Sequence, residues 1–176
     1  MDRVYNFSPG PAVLPLPVLK QAQADLLSLP GIGISPLEIS HRSAWFEGVL
    51  EETTANLRKL LDLPQNYSVL YLQGGARLQF SMIPMNLLRG TGQTADYVVT
   101  GSWGAKAVEE AGREAQVNVA YEGKSHNYSR LPEPGELKLT KDAAYVHITS
   151  NETIQGVQFQ EEPDVGDAPL ICDSSS

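Results

Sequence analysis

Short apolar runs alternate with helix-length amphipathic stretches along this chain, and the alternation limits its folds more than any other feature. Residues 68–72, 96–100, 117–121, 143–149, 157–159 and 169–172 are apolar runs bounded by turn formers, the pattern of buried strands. Between the first two, Leu78, Phe80, Met82, Ile83, Met85 and Leu87 recur at helical spacing on more than one face, which predicts a buried helix. Gly101 and Ser102 open a further helix that carries Trp103, Ala107 and Ala111. Parallel strands need crossover connections, so the chain is expected to be α/β, a mostly parallel or mixed sheet with helices on both faces. Upstream, a helix is expected over residues 17–29, ended by Pro30 and Gly31. A second is expected behind Ser43 as N-cap, with Phe46, Val49, Leu50, Thr53, Leu57, Leu60 and Leu61 as its inner face and Glu47, Glu51 and Glu52 solvated. Residues 122–134 read as a long polar connection in which His126 faces solvent.

Charge and composition narrow the function. A formal net charge of −8 argues against broad nucleic-acid binding, which draws on clustered Lys and Arg, so any bound anion must meet a local basic site. The hydrophobic content of 41% excludes wholesale disorder. No apolar run approaches the roughly 20 residues of a membrane span, and residues 1–6 hold no apolar leader core, so a cytoplasmic protein is expected. The single cysteine, Cys172, can form no internal disulfide and is assigned no chemistry.

Sheets of this class bind ligands beyond the carboxyl ends of their strands, and the informative residues gather there. Gly74 and Gly75 stand between a strand and a helix, where uncovered N–H groups and the helix dipole attract an anion. The stretch lacks both the Lys-Ser/Thr of a nucleotide loop and the G-x-G-x-x-G spacing of a dinucleotide fold, so a phosphate held by backbone and Arg77 fits it better than a nucleotide. A tight turn with no ligand explains the same residues. Trp103 is a packing residue or an aromatic plate, Asp173 an Asx-turn or a strand-end carboxylate, and Thr153 a turn cap or a free hydroxyl. His41 and Arg42 are an exposed basic pair or, before a helix N-terminus, a compact anion site. Taken together, these groups suit pyridoxal phosphate, whose ring nitrogen needs a carboxylate if the ring is to act as an electron sink.

At the level of motifs, Asn6-Phe7-Ser8-Pro9-Gly10-Pro11-Ala12, Glu38-Ile39-Ser40-His41-Arg42-Ser43, Gly74-Gly75-Ala76-Arg77-Leu78-Gln79-Phe80, Ala95-Asp96-Tyr97-Val98, Gly101-Ser102-Trp103 and Ser150-Asn151-Glu152-Thr153-Ile154 stand in order and spacing. The whole chain thereby resembles the phosphoserine aminotransferases, class-V enzymes of fold type I. The resemblance implies that Ala76 and Arg77 meet the cofactor phosphate, chiefly through backbone N–H, that Trp103 stacks on the pyridine ring, that Thr153 reaches the phenolic oxygen side, and that Asp173 pairs with the ring nitrogen. It implies that Arg42, with His41, binds the anionic substrate across a homodimer interface. The substrates would be glutamate and 3-phosphohydroxypyruvate, the products O-phosphoserine and 2-oxoglutarate, with a role in serine and in many bacteria vitamin B6 synthesis. Residues 1–15 would form an N-terminal arm and 16–176 a partial cofactor-binding large domain. Pro9 and Ala76 depart from residues that relatives often carry. The lysine that forms the Schiff base and the small C-terminal domain are expected beyond Ser176, and none of Lys20, Lys59, Lys106, Lys124, Lys138 and Lys141 is a substitute, so this chain alone is expected to be inactive. Two other readings remain: a non-catalytic phosphate-binding fragment, or another aminotransferase or desulfurase of this fold group, which the His41–Arg42 pair disfavours because it suits a doubly anionic substrate.

Overall fold

The computed structural model describes residues 3–176, which form two compact units, one through Tyr71 and one from Leu72 to Ser176. The first unit is helical. Its α1 (Leu16–Asp25) begins with Pro17 in the first turn, where a missing N–H costs nothing. It stops four residues short of the expected end. Leu29 instead anchors the following turn: its N–H donates to the Ile34 carbonyl (2.9 Å) and its own carbonyl accepts the N–H groups of Ile32 and Gly33. The α2 helix (Ala44–Leu60) starts as expected at Ser43, whose Oγ accepts the Phe46 N–H at 3.2 Å. Glu47 lies in its first turn and Arg58 and Lys59 in its last, the arrangement that complements the helix dipole. Its inner face is not covered as expected: Leu60 is 80% exposed, and no residue of α2 is buried.

The expected strand at 68–72 does not form; these residues have no ladder partner, and Leu70, Tyr71 and Leu72 are exposed. A strand is stable only when its N–H and C=O groups are paired, so apolar composition alone does not make one.

The second unit holds a four-stranded parallel sheet in the order β2, β1, β3, β6, formed by β1 (Ala95–Val99), β2 (Val117–Glu122), β3 (Val146–Thr149) and β6 (Leu170–Asp173). A small antiparallel pair, β4 (Asn151–Glu152) with β5 (Val157–Gln158), follows β3. The sequence hid β4, because two polar residues show no apolar period. The central strands β1 and β3 are buried throughout, whereas β2 and β6 lie at the edges. One face packs Ala95, Tyr97, Val99 and Tyr145 against Phe80, Leu88, Ala107 and Ala111 from the helical segments. The other packs Val98, Val146, Ile148 and Tyr121 against Leu137, Phe159, Val165 and Ala168 from the connections. A bulge sets Val98 opposite Tyr121 instead of Ala120, which turns Tyr121 to the second face.

The α3 helix (Gly75–Leu87) and α4 (Ser102–Ala111) complete the unit. Only Phe80 and Pro84 of α3 are buried, so the helix expected to be buried on several faces is buried on one. The connection expected over 122–134 begins one residue later, after β2, and contains a 3-10 turn, Gly123–His126, with His126 exposed as expected. Among the described residues no helix is long and apolar enough to cross a membrane.

Candidate functional site at the strand ends

Strand order places the site. From β1 the chain crosses to β2 on one side, and from β3 it proceeds to β6 on the other, so the direction of winding reverses between β1 and β3. Beyond the carboxyl ends of such a pair the connections diverge and leave a crevice. The residues following β1 are Thr100 to Trp103, those following β3 are Ser150 to Thr153, and Asp173 ends β6.

The α3 N-terminus borders this end of the sheet. Its N-cap, Gly74, sits at φ +95°, and a Cβ there would come within 2.4 Å of Leu78 Cδ2, so glycine is required both by conformation and by space. Gly75 follows at φ +64°. No side chain caps the helix, which leaves its first N–H groups, those of Ala76 and Arg77 among them, with the positive end of the dipole. Arg77 turns its largely exposed side chain towards Glu110 on α4, at 3.9 Å, where Arg113 and Ser81 also meet that carboxylate. Backbone, rather than the guanidinium, is what this turn presents.

A cleft of about 410 Å³ opens beside it, lined by Ala76, Gln79, Phe80, His147, Asp173 and Ser175 among others. Asp173 pairs with Thr149 in the sheet register. Its Oδ1 accepts the N–H (3.2 Å) and the hydroxyl (2.7 Å) of Ser175, an Asx-turn that uses Oδ1 and not Oδ2. The turn and the carboxylate readings of Asp173 are thus compatible.

His147, which the sequence reading passed over, is 1% exposed, and neither ring nitrogen has a partner among the described residues. Its ring stacks on Tyr97 (5.0 Å between centroids, 22°) and meets Phe80 edge-on (6.0 Å, 83°). Tyr97 is fixed in turn by a 2.7 Å hydroxyl contact with Tyr145. Burial pushes the imidazole pKa down to about 4, against the opposing pull of the Asp173 charge. A clamped, neutral ring with two unpaired nitrogens in a ligand-sized cleft is a costly arrangement for a structural residue alone. Alternation along β3 was the available signal, since His147 and Thr149 share a face with the partners Ile171 and Asp173.

Trp103 and Thr153 meet through Glu152. The Trp103 N–H donates to Glu152 Oε2 (2.9 Å) and the Gly104 N–H to Oε1 (2.7 Å). Lys106 Nζ lies 4.1 Å from the Trp103 ring centroid. Thr153 Oγ1 is 2.6 Å from Ser176 Oγ, which also accepts from Asn151 Nδ2 at 3.0 Å. His41 and Arg42 belong to the first unit, exposed on the turn leading into α2, where Ser40 Oγ accepts the Arg42 N–H at 3.2 Å.

Comparison with known proteins decides the family. The model of the class-V aminotransferases matches residues 4–176. The chain belongs to the class-V aminotransferase family. A phosphoserine aminotransferase of Rhodopirellula baltica is 51% identical, the match covering 99% of this chain and 47% of that protein. One of Pseudomonas fluorescens is 53% identical over 99% of this chain and 48% of the relative. Among solved structures, a phosphoserine aminotransferase from Bacillus circulans subsp. alkalophilus superposes with a TM-score of 0.90 at 50% identity, covering 97% of this chain and 47% of that one. A PLP-bound phosphoserine aminotransferase from Trichomonas vaginalis gives 0.88 at 41% identity, over 97% of this chain and 47% of that chain. This class-V chain therefore spans about half the length of the relatives it matches, and its parallel α/β sheet is the one seen in those fold-type I structures.

Proposed function

We propose that these residues form the cofactor-binding part of a phosphoserine aminotransferase, which moves an amino group from glutamate to 3-phosphohydroxypyruvate with pyridoxal phosphate as cofactor. The observation that carries the reading is the joining, in one cleft, of an uncapped helix end, the Asp173 carboxylate and an unpartnered buried His147. An anion-accepting end and a carboxylate separated by an aromatic-walled space fit a flat phosphorylated heteroaromatic. The identities of about half to phosphoserine aminotransferases support the specific activity.

When bound, pyridoxal phosphate supplies an electron sink for the bonds at the amino carbon. The residues have separate tasks. The N–H groups of Ala76 and Arg77 would hold the phosphate, and Asp173 would hold a proton on the ring nitrogen. Trp103 would cover the ring, and the Thr153 hydroxyl would meet its phenolic oxygen. The tripeptide after Asp173 already links these groups, since Ser175 engages the carboxylate and Ser176 engages Thr153. Arg42, with His41, would bind the substrate's anionic groups in a homodimer, as a planar two-pronged donor suits a carboxylate or phosphate. Residues 16–176 would be part of the large domain, with 1–15 an arm, in a cytoplasmic enzyme of serine synthesis that could also serve vitamin B6 synthesis. None of the six lysines stands where the resemblance puts the Schiff-base lysine, some way beyond the strand-end Asp173, and Lys106 is engaged with Trp103. A lysine elsewhere in the functional enzyme would move the proton, and the 176 residues alone would turn over nothing.

The test has two arms. Incubated with pyridoxal phosphate, glutamate and 3-phosphohydroxypyruvate, the 176-residue chain should make no 2-oxoglutarate above the protein-free background, whereas the intact enzyme should make it readily. In the intact enzyme, Asp173→Ala should cost a charge-assisted hydrogen bond of about 1.5 to 3 kcal/mol, tenfold or more in rate. Normal turnover in that variant would overturn the assignment.

A further inference from the structure

Residues 151–153 carry more than the hydroxyl of Thr153. We propose that Glu152 is a positioning residue that holds Trp103 and Thr153 in one fixed relation, so that aromatic plate and hydroxyl meet the cofactor ring as a unit. The inference rests on the pyridoxal phosphate reading above.

Glu152 is fully buried, and its carboxylate lies against the start of α4. The helix has no side-chain cap of its own, because Gly101 stands at the N-cap. Glu152 takes that role from a distant part of the chain: its two oxygens accept the first available N–H groups, Trp103 at 2.9 Å and Gly104 at 2.7 Å. Two such bonds and the positive helix end together stabilise a charge that burial would otherwise penalise. The approach leaves no spare room. A Cβ on Gly101 would fall 2.5 Å from Glu152 Cδ, and one on Gly104 would fall 3.2 Å from Oε1.

The other end of Glu152 is equally fixed. Its backbone pairs with Val157 in the β4–β5 ladder, and its carbonyl accepts the Gly156 N–H at 2.7 Å. Gln155 adds a second link across the same gap, accepting the Ser102 N–H (3.2 Å) and donating to Ser102 Oγ (2.7 Å). Thr153 is the next residue after Glu152, so a shift of the carboxylate moves the plate and the hydroxyl relative to one another. The phosphate-binding end of α3 shares none of these bonds. A cap alone would affect only stability, whereas a positioning residue alters the surroundings of the ring and leaves anion binding in place.

The 176-residue chain has two tryptophans, so in it a Trp45→Phe background leaves Trp103 as the sole tryptophan emitter. In that background Glu152→Gln keeps the shape but turns an amide NH₂ towards a backbone N–H. Gly101→Ala displaces the carboxylate, and with it Gln155 Oε1, without changing their chemistry, and the extended φ of Gly101 (178°) is open to alanine. Without ligand, both variants should speed amide exchange at Trp103 and Gly104 at least tenfold and shift Trp103 emission. With pyridoxal phosphate, both should lose most of the induced circular dichroism of the bound cofactor, while affinity for inorganic phosphate stays within twofold. Faster exchange and a lower melting temperature with unchanged Trp103 emission and unchanged cofactor dichroism would overturn the proposal and leave Glu152 a helix cap only. If the Trp45→Phe protein binds no pyridoxal phosphate, the cofactor reading itself fails. The ligand-free emission then decides positioning alone: a shift shared by both variants supports it, and no shift overturns it.

Discussion

The two units obey different physics. In the second, every residue of β1 is buried and two apolar clusters fill the two faces of one sheet. In the first, α2 is correctly capped and carries the right charges at each end, yet has no buried residue, and Leu29 is the one buried hydrophobic side chain among the described residues through Tyr71. Local signals are enough to write a helix, because its hydrogen bonds close within four residues. They do not supply a core. A strand depends on its neighbour from the start, which is why residues 68–72 stay unpaired while the equally apolar 95–99 becomes the centre of a sheet.

The sharpest way to break this comparison is hydrogen exchange. Amides of β1 and β3 should exchange at least ~10³ times more slowly than those of α1 and of residues 68–72, since the former open only with the core. Uniform protection across both units would show that the first unit has cover of its own. Next in size is a pair of truncations. Phe80→Ala, which empties a site packed against β1 and β3, should destabilise by about 3 to 5 kcal/mol, and Leu60→Ala by less than about 0.5 kcal/mol. Urea melts of the two variants check it, and equal losses would contradict the asymmetry.

Acid should act on the second unit through His147. Its folded pKa of about 4 lies below the ordinary histidine value, so the fold favours the neutral ring. The unfolded chain binds a proton first as pH falls. Stability is then full above pH ~6.5 and drops towards pH ~4 by up to about 1.4 kcal/mol per pH unit from this group. His147→Phe should flatten that slope in denaturant melts at pH 7 and 5; an unchanged slope would assign it to other groups. A modest effect belongs to the first unit, where Ser43→Ala should cost α2 about 1 kcal/mol through loss of the Oγ cap, visible as a lower helical signal at 222 nm. Loss of β1 protection in the same variant would couple the units more than this account allows.

Much of the second unit was legible in sequence because its signals are local and redundant. Residues 96–100 and 117–121 lie within a residue of β1 and β2, and the Gly74–Gly75 pair marked the α3 start. Expected residues 143–149 shortened to β3 because pairing with β1 and β6 begins at Val146. Pro84 was hidden within an otherwise helical pattern. The helix carries it, and its carbonyl accepts the Leu88 and Arg89 N–H groups that close the C-terminus. At the site, Ala76 and Asp173 line one cleft, and Trp103 and Thr153 join through a residue the sequence reading treated only as part of a motif. Alternation along β3 put His147 on the face of Asp173, but the roles of Glu152 and His147 were illegible for one reason. Each takes its meaning from burial against elements far along the chain, and a carboxylate or an imidazole in a one-dimensional pattern gives no sign of that.

In the function proposed above, the carboxyl ends of β1, β3 and β6, with the start of α3, would form a pyridoxal phosphate cradle. The direct measurement is a titration of the protein with pyridoxal phosphate, followed by amide shifts in a residue-resolved ¹⁵N spectrum. The account predicts that the largest changes fall at Ala76, Arg77, Trp103, Thr153 and Asp173, with the Ala76 and Arg77 shifts reproduced by inorganic phosphate and the Trp103 and Asp173 shifts requiring the ring. Changes confined to exposed lysines, with these five amides unmoved, would contradict it.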